Sequence, residues 1–80
     1  MKKVIFILGL LITISFGATL EEATIAYNKG DYQTTKTIFE DLASKGDATA
    51  QHNLGVMYDF GKGVKQDYFK AIKWYEKAAN

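Results

Sequence analysis

Few residues of this 80-residue chain can do chemistry. Its one histidine, His52, stands in the run Gln51-His52-Asn53, and Val56 and Asp59 follow at i+4 and i+7. On a helix those positions share a face. An imidazole and a carboxylate two turns apart are only two donors, and zinc takes at least three protein ligands, so no metal and no cofactor is expected. The spacing does allow a contact surface for a protein or peptide, built from Thr49, His52, Asn53, Val56 and Asp59. The competing reading is a helix face that is simply solvated.

Covalent catalysis has less to draw on. The chain has no cysteine, and its only serines, Ser15 and Ser44, have no histidine near them in sequence. Gly61-Lys62-Gly63 contains glycine and lysine but not the GxxxxGK[ST] spacing that cradles phosphate, and no strand precedes it. A tight interhelical loop with left-handed glycines is expected there instead. Ten lysines, no arginine and nine acids leave a net charge of +1, without the basic stripe that nucleic acid requires.

The elements that must position these residues begin after an address segment. Lys2-Lys3 precede an apolar run of thirteen residues, VIFILGLLITISF, and small residues Ser15 and Gly17 stand three and one before a cut after Gly17. That is the pattern of a secretory signal peptide over residues 1–17. The chain is therefore expected to be exported, periplasmic or secreted. The alternative is an inner-membrane anchor formed by an uncleaved leader, the sole membrane contact expected. Crossing a bilayer core takes about 20 apolar residues, more than the run supplies.

Beyond the leader the periodicity is helical. Breakers at Gly30, Gly46 and the Gly61–Gly63 loop divide the chain into helices over 20–29, 32–45, 48–60 and 68–79. Thr19 and Glu22 have the spacing of a capping box, and Asp31, Asp47 and Asp67 are placed to cap the other three. The fold class is all-α, two antiparallel helical hairpins. They also repeat. Tyr27-Asn28-Lys29-Gly30 matches Tyr58-Asp59-Phe60-Gly61 at an offset of 31, and Asp31-Tyr32 matches Asp67-Tyr68 at 36. Phe39 and Leu42 then align with Tyr75 and Ala78, and the offset grows because five residues, 62–66, are inserted in the second copy. Ala50, Leu54, Met57 and Tyr58 share one stripe of the third helix; Ala71, Trp74, Tyr75 and Ala78 share one on the fourth. At that spacing the aromatics read as hairpin core, with Ala50, Gly55, Ala71 and Ala78 letting helices approach.

The stretch 47–80 closely resembles the Sel-one-like repeat, a relative of the tetratricopeptide repeat. Ala50, Leu54-Gly55, Met57-Tyr58, Gly61, Gly63-Val64, Asp67-Tyr68, Ala71, Trp74-Tyr75 and Ala78-Ala79 carry the resemblance. Residues 18–46 look like a degenerate tetratricopeptide hairpin, keeping Tyr27, Tyr32, Phe39 and Leu42 but placing Thr35 where the small alanine belongs. The resemblance implies a short right-handed solenoid and an adaptor role in the bacterial envelope, binding a protein or peptide. It also implies a minority alternative, since exported cysteine-rich relatives are described as β-lactamases or penicillin binders. This chain lacks their paired cysteines, so no catalytic residue is assigned. Repeat stacks need three or more units. The last helix is therefore expected to expose Phe69, Ile72 or Tyr75, for self-association, for a partner, or for further repeats.

Overall fold

The computed structural model describes residues 18–80; the expected leader lies outside the described residues. Four helices follow one another: α1 (Leu20–Asn28), α2 (Tyr32–Ser44), α3 (Ala48–Phe60) and α4 (Tyr68–Ala79). Each starts where a side-chain oxygen caps it. At α1 the capping box is complete, Glu22 N–H donating to Thr19 Oγ1 at 3.2 Å and Thr19 N–H to Glu22 Oε1 at 2.9 Å. Asp31, Asp47 and Asp67 cap α2, α3 and α4.

The helices pack in sequence order, α1 on α2, α2 on α3 and α3 on α4. This is the hairpin arrangement of a tetratricopeptide-like solenoid. The buried core runs through it from Ala23 to Ile38, Phe39, Ala43, Ala50, Leu54 and Met57. Leu42, Tyr32, Val64 and Trp74 pack against it, half-buried. Ala71 is buried between α3 and α4, whereas Tyr58, Tyr75, Ala78 and Gly61 are half-buried.

Tyr27 is placed otherwise. It is 37% exposed, its ring leaning on Tyr32 with centroids 5.1 Å apart. Helix α1 buries only Ala23 and Ala26 against its neighbour, and a bulky ring one turn along lies beyond that short-side-chain contact.

Two glycines set helix and loop spacing. A Cβ on Gly55 would stand 2.6 Å from the Tyr75 ring and 3.2 Å from the Ala71 carbonyl oxygen, so its missing side chain is what seats α4 on α3. Gly63, exposed in the inserted loop, has φ +73° and lies against the Tyr32 side chain with no room for a Cβ.

Thr35, where the second hairpin has Ala71, lies at the α1–α2 contact and is fully buried. Its Oγ1 lies 3.0 Å from the Asp31 carbonyl in its own helix and 3.3 Å from the Ala23 carbonyl in α1, so one hydroxyl proton is shared between helices. The Asp31 carbonyl also accepts the Thr35 N–H and the Ala23 carbonyl lies within α1, so loss of the hydroxyl strands no acceptor. Thr35→Val should lower unfolding free energy by about 1 kcal/mol in a urea titration.

Asp31 also makes the fold acid-sensitive. Its carboxylate accepts from Thr34 Oγ1 at 2.7 Å and Thr34 N–H at 3.2 Å, and these bonds hold its pKa below the ordinary 3.8. A lowered folded-state pKa contributes stability above pH 3.8 and loses it as pH falls through the folded value. Asp31→Asn keeps a capping oxygen but does not titrate, so its melting temperature should fall less steeply than the parent's below pH 4.

Candidate functional site

A cavity of about 280 Å³ opens between α1 and α3. Thr24 and Tyr27 form its α1 wall; Asn53, Val56 and Met57 form its α3 wall. Phe39 of α2 lies beneath, and Lys62 stands at the loop end. Tyr27, Phe39, Val56 and Met57 make the lining largely apolar. Thr24 Oγ1 donates to the Leu20 carbonyl at 3.0 Å. The half-buried Asn53 amide and the Lys62 ammonium make no side-chain hydrogen bond or ion pair among the described residues, and both remain available to a bound segment. An apolar trough with one amide and one cation can hold side chains and orient a peptide backbone.

The five residues of the expected contact surface divide between two sides of α3. Asn53 and Val56 face the cavity. Thr49 and His52 line a shallower depression toward α4, with Tyr75 and Ala78. His52 is exposed, its ring centroid 5.3 Å from that of Tyr75. Asp59 accepts a hydrogen bond from the Tyr75 hydroxyl at 3.1 Å. Burial raises the Tyr75 pKa above 10.0, and the Asp59 carboxylate beside it raises it further. The neutral phenol thus holds α4 to α3, and that contribution is lost only as pH rises through the folded value. Asp59 acts here as a strut between helices.

Thr24 and Lys62 carry no signal in the repeat alignment. Transferring Asn53 and Val56 onto α1 by the 31-residue offset gives Glu22 and Ile25, on the wrong flank. The two helices turn different flanks to the groove between them, Thr24 and Tyr27 on α1 and Asn53 and Val56 on α3. Repeat equivalence therefore finds one wall and misses the other.

Among the described residues no three His, Cys, Asp or Glu side chains gather to hold a metal, and no helix is long and apolar enough to cross a membrane.

Comparison with known proteins agrees with the helical-repeat fold. Residues 48–80 match the Sel1 repeat. An ERAD-associated E3 ubiquitin-protein ligase component of Arabidopsis thaliana, HRD3B, is 31% identical over 68 residues, covering 84% of this chain and 11% of that protein. DAP3-binding cell death enhancer 1 of Mus musculus is 35% identical over 68 residues, 85% of this chain and 12% of that protein. A sel1-like repeat-containing protein of Acanthamoeba polyphaga mimivirus is 52% identical over 40 residues, 49% of this chain and 7% of that protein. The chain thus spans about a tenth of the length of these relatives. No solved structure matches it. The four helices form a helical-repeat interaction module, and the chain carries a Sel1-repeat-family domain of tetratricopeptide-like build over residues 48–80.

Proposed function

We propose that this chain is an exported helical-repeat adaptor that holds a protein or peptide segment in the groove between α1 and α3. The observation that carries this reading is the trough itself. Its apolar lining from Tyr27, Phe39, Val56 and Met57 is joined by the uncommitted amide of Asn53 and the ammonium of Lys62. The relatives' names support binding as the role. One is a component of a ligase assembly and another is described as DAP3-binding. A peptide phage library panned on the immobilised chain should yield ligands with apolar residues beside an acidic one. Binding should drop at least tenfold with Val56→Glu, whose helicity by circular dichroism should stay that of the parent. Selected peptides that bind parent and Val56→Glu equally would sink the groove reading.

Export rests on the sequence: Lys2-Lys3, the apolar run 4–16 and the small residues Ser15 and Gly17. The intact mass of the native protein should be short by the first seventeen residues; a full-length species in the membrane fraction would mean an anchor instead. Catalysis is no part of the proposal. A chromogenic cephalosporin should go unhydrolysed, and turnover abolished by His52→Ala would overturn that.

A further inference from the structure

Helix α4 is apolar on two sides. Ala71, Trp74, Tyr75 and Ala78 face α3 and the core. On the opposite side Phe69 is 82% exposed and Ile72 50%, with Lys73 and Glu76 completing an i, i+3, i+4, i+7 stripe. The internal repeat shows that this second apolar side is not a general feature of the hairpin. At the 36-residue offset, Phe69, Ile72, Lys73 and Glu76 correspond to Gln33, Lys36, Thr37 and Glu40 of α2. There the stripe is polar, and Lys36 pairs with Glu40 at 3.8 Å. In α2 the side that meets α3 most closely carries Phe39 and Ala43. Lys36, the counterpart of Ile72, is half-buried beside Tyr58 of α3 and the inserted loop, whereas Gln33, the counterpart of Phe69, is exposed. Stacking another hairpin in the same register would therefore cover Ile72 only in part and leave Phe69 in water.

Charge says what suits them. Helix α4 carries Lys70, Lys73 and Lys77 against the single acid Glu76. Helix α1, the first of the described helices, carries Glu21 and Glu22 with no basic residue, and the half-exposed Ile25 lies one turn from Glu21 on the same outward side. A two-fold pairing of α4 with α4 would set a net positive helix against itself. A pairing of α4 with α1 sets Ile72 and Phe69 on Ile25, and Lys73 opposite Glu21. We propose that the outer stripe of α4 docks on the outer side of α1 of a second copy, head to tail. Such a contact uses two different surfaces and leaves one of each free on every dimer, so it propagates head to tail, into a ring or an open filament according to the rotation between copies. It is independent of the groove, whose residues it does not use.

The absence of cysteine makes the test direct. The full chain is made as Ile25→Cys and, separately, as Ile72→Cys. Each is oxidised mildly alone, and an equal mixture of the two reduced proteins is oxidised in the same way. The mixture should form covalent dimer at least tenfold faster than either protein alone. Lys73→Glu placed in the Ile72→Cys chain should slow the mixed reaction about tenfold, and Glu21→Lys in the other chain should restore it. Lys73 and Glu21 are both exposed and outside the core, so each variant should keep the parent's helicity. Equal rates alone and mixed, no dimer at all, or a mixed rate indifferent to the charge exchange would each overturn the proposal.

Discussion

Leu54→Ala is expected to lower unfolding free energy by about 3 kcal/mol, within the range for a buried leucine that leaves a cavity. Leu54 is fully buried at the centre of the core, between residues of α2 and its own helix's alanine and methionine. Nothing close can collapse into the space cheaply, because Gly55 next to it is committed to the Tyr75 ring. A domain of this size holds roughly 3–9 kcal/mol in all. The variant should therefore lose from about a third to all of that stability, read by far-ultraviolet ellipticity as a urea midpoint shifted well toward zero. Leu54→Met nearly conserves volume and should cost less than about 1.5 kcal/mol. Equal midpoints for Leu54→Ala and the parent would show that the helices do not meet at this residue.

Gly55→Ala is expected to destabilise by about 2 kcal/mol, against the usual gain of nearly 1 kcal/mol for replacing a helical glycine. The sign depends on geometry. The new methyl would lie 2.6 Å from two ring carbons of Tyr75, and the Ala71 carbonyl behind them is backbone. Turning the ring away also breaks its hydroxyl's bond to Asp59. A double-mutant cycle separates these effects. With Tyr75→Ala already present the obstruction is gone, and Gly55→Ala should become neutral or mildly stabilising. Additive costs would contradict the close seating of α4 on α3.

Much of this architecture is legible in the chain because local signals agree with one another. Each cap oxygen sits one residue before its helix, and each expected helix lies within a residue of its observed bounds. The Leu54-Gly55 pair and the alanine of α4 announce close packing before any coordinate is seen. The groove is harder to read. Its floor, Phe39 and Met57, looks like plain core from periodicity, since a side chain can be buried and still line a cavity. Asn53 and Val56 are found from one helix, but Thr49, His52 and Asp59 ride the same stretch and turn toward α4. A helix face is about 100° wide, and two neighbouring helices share it out between them. Thr35 is legible only as a departure; that its hydroxyl bridges α1 and α2 depends on a carbonyl twelve residues earlier.

The loop around Gly63 bears on how the chain melts. In a repeat array each unit is stabilised by itself and by its coupling to the next, and weak coupling lets end units fray alone. Here the five residues inserted into the second hairpin reach back across the boundary. Gly63 rests on Tyr32, and Val64 packs on a core drawn from both hairpins. The extra residues therefore raise the coupling between units rather than lengthen one of them. Hydrogen exchange should follow from this: the amides of α2 and α3 open together, in one cooperative step, while only α1's first turn and α4's last exchange by fraying.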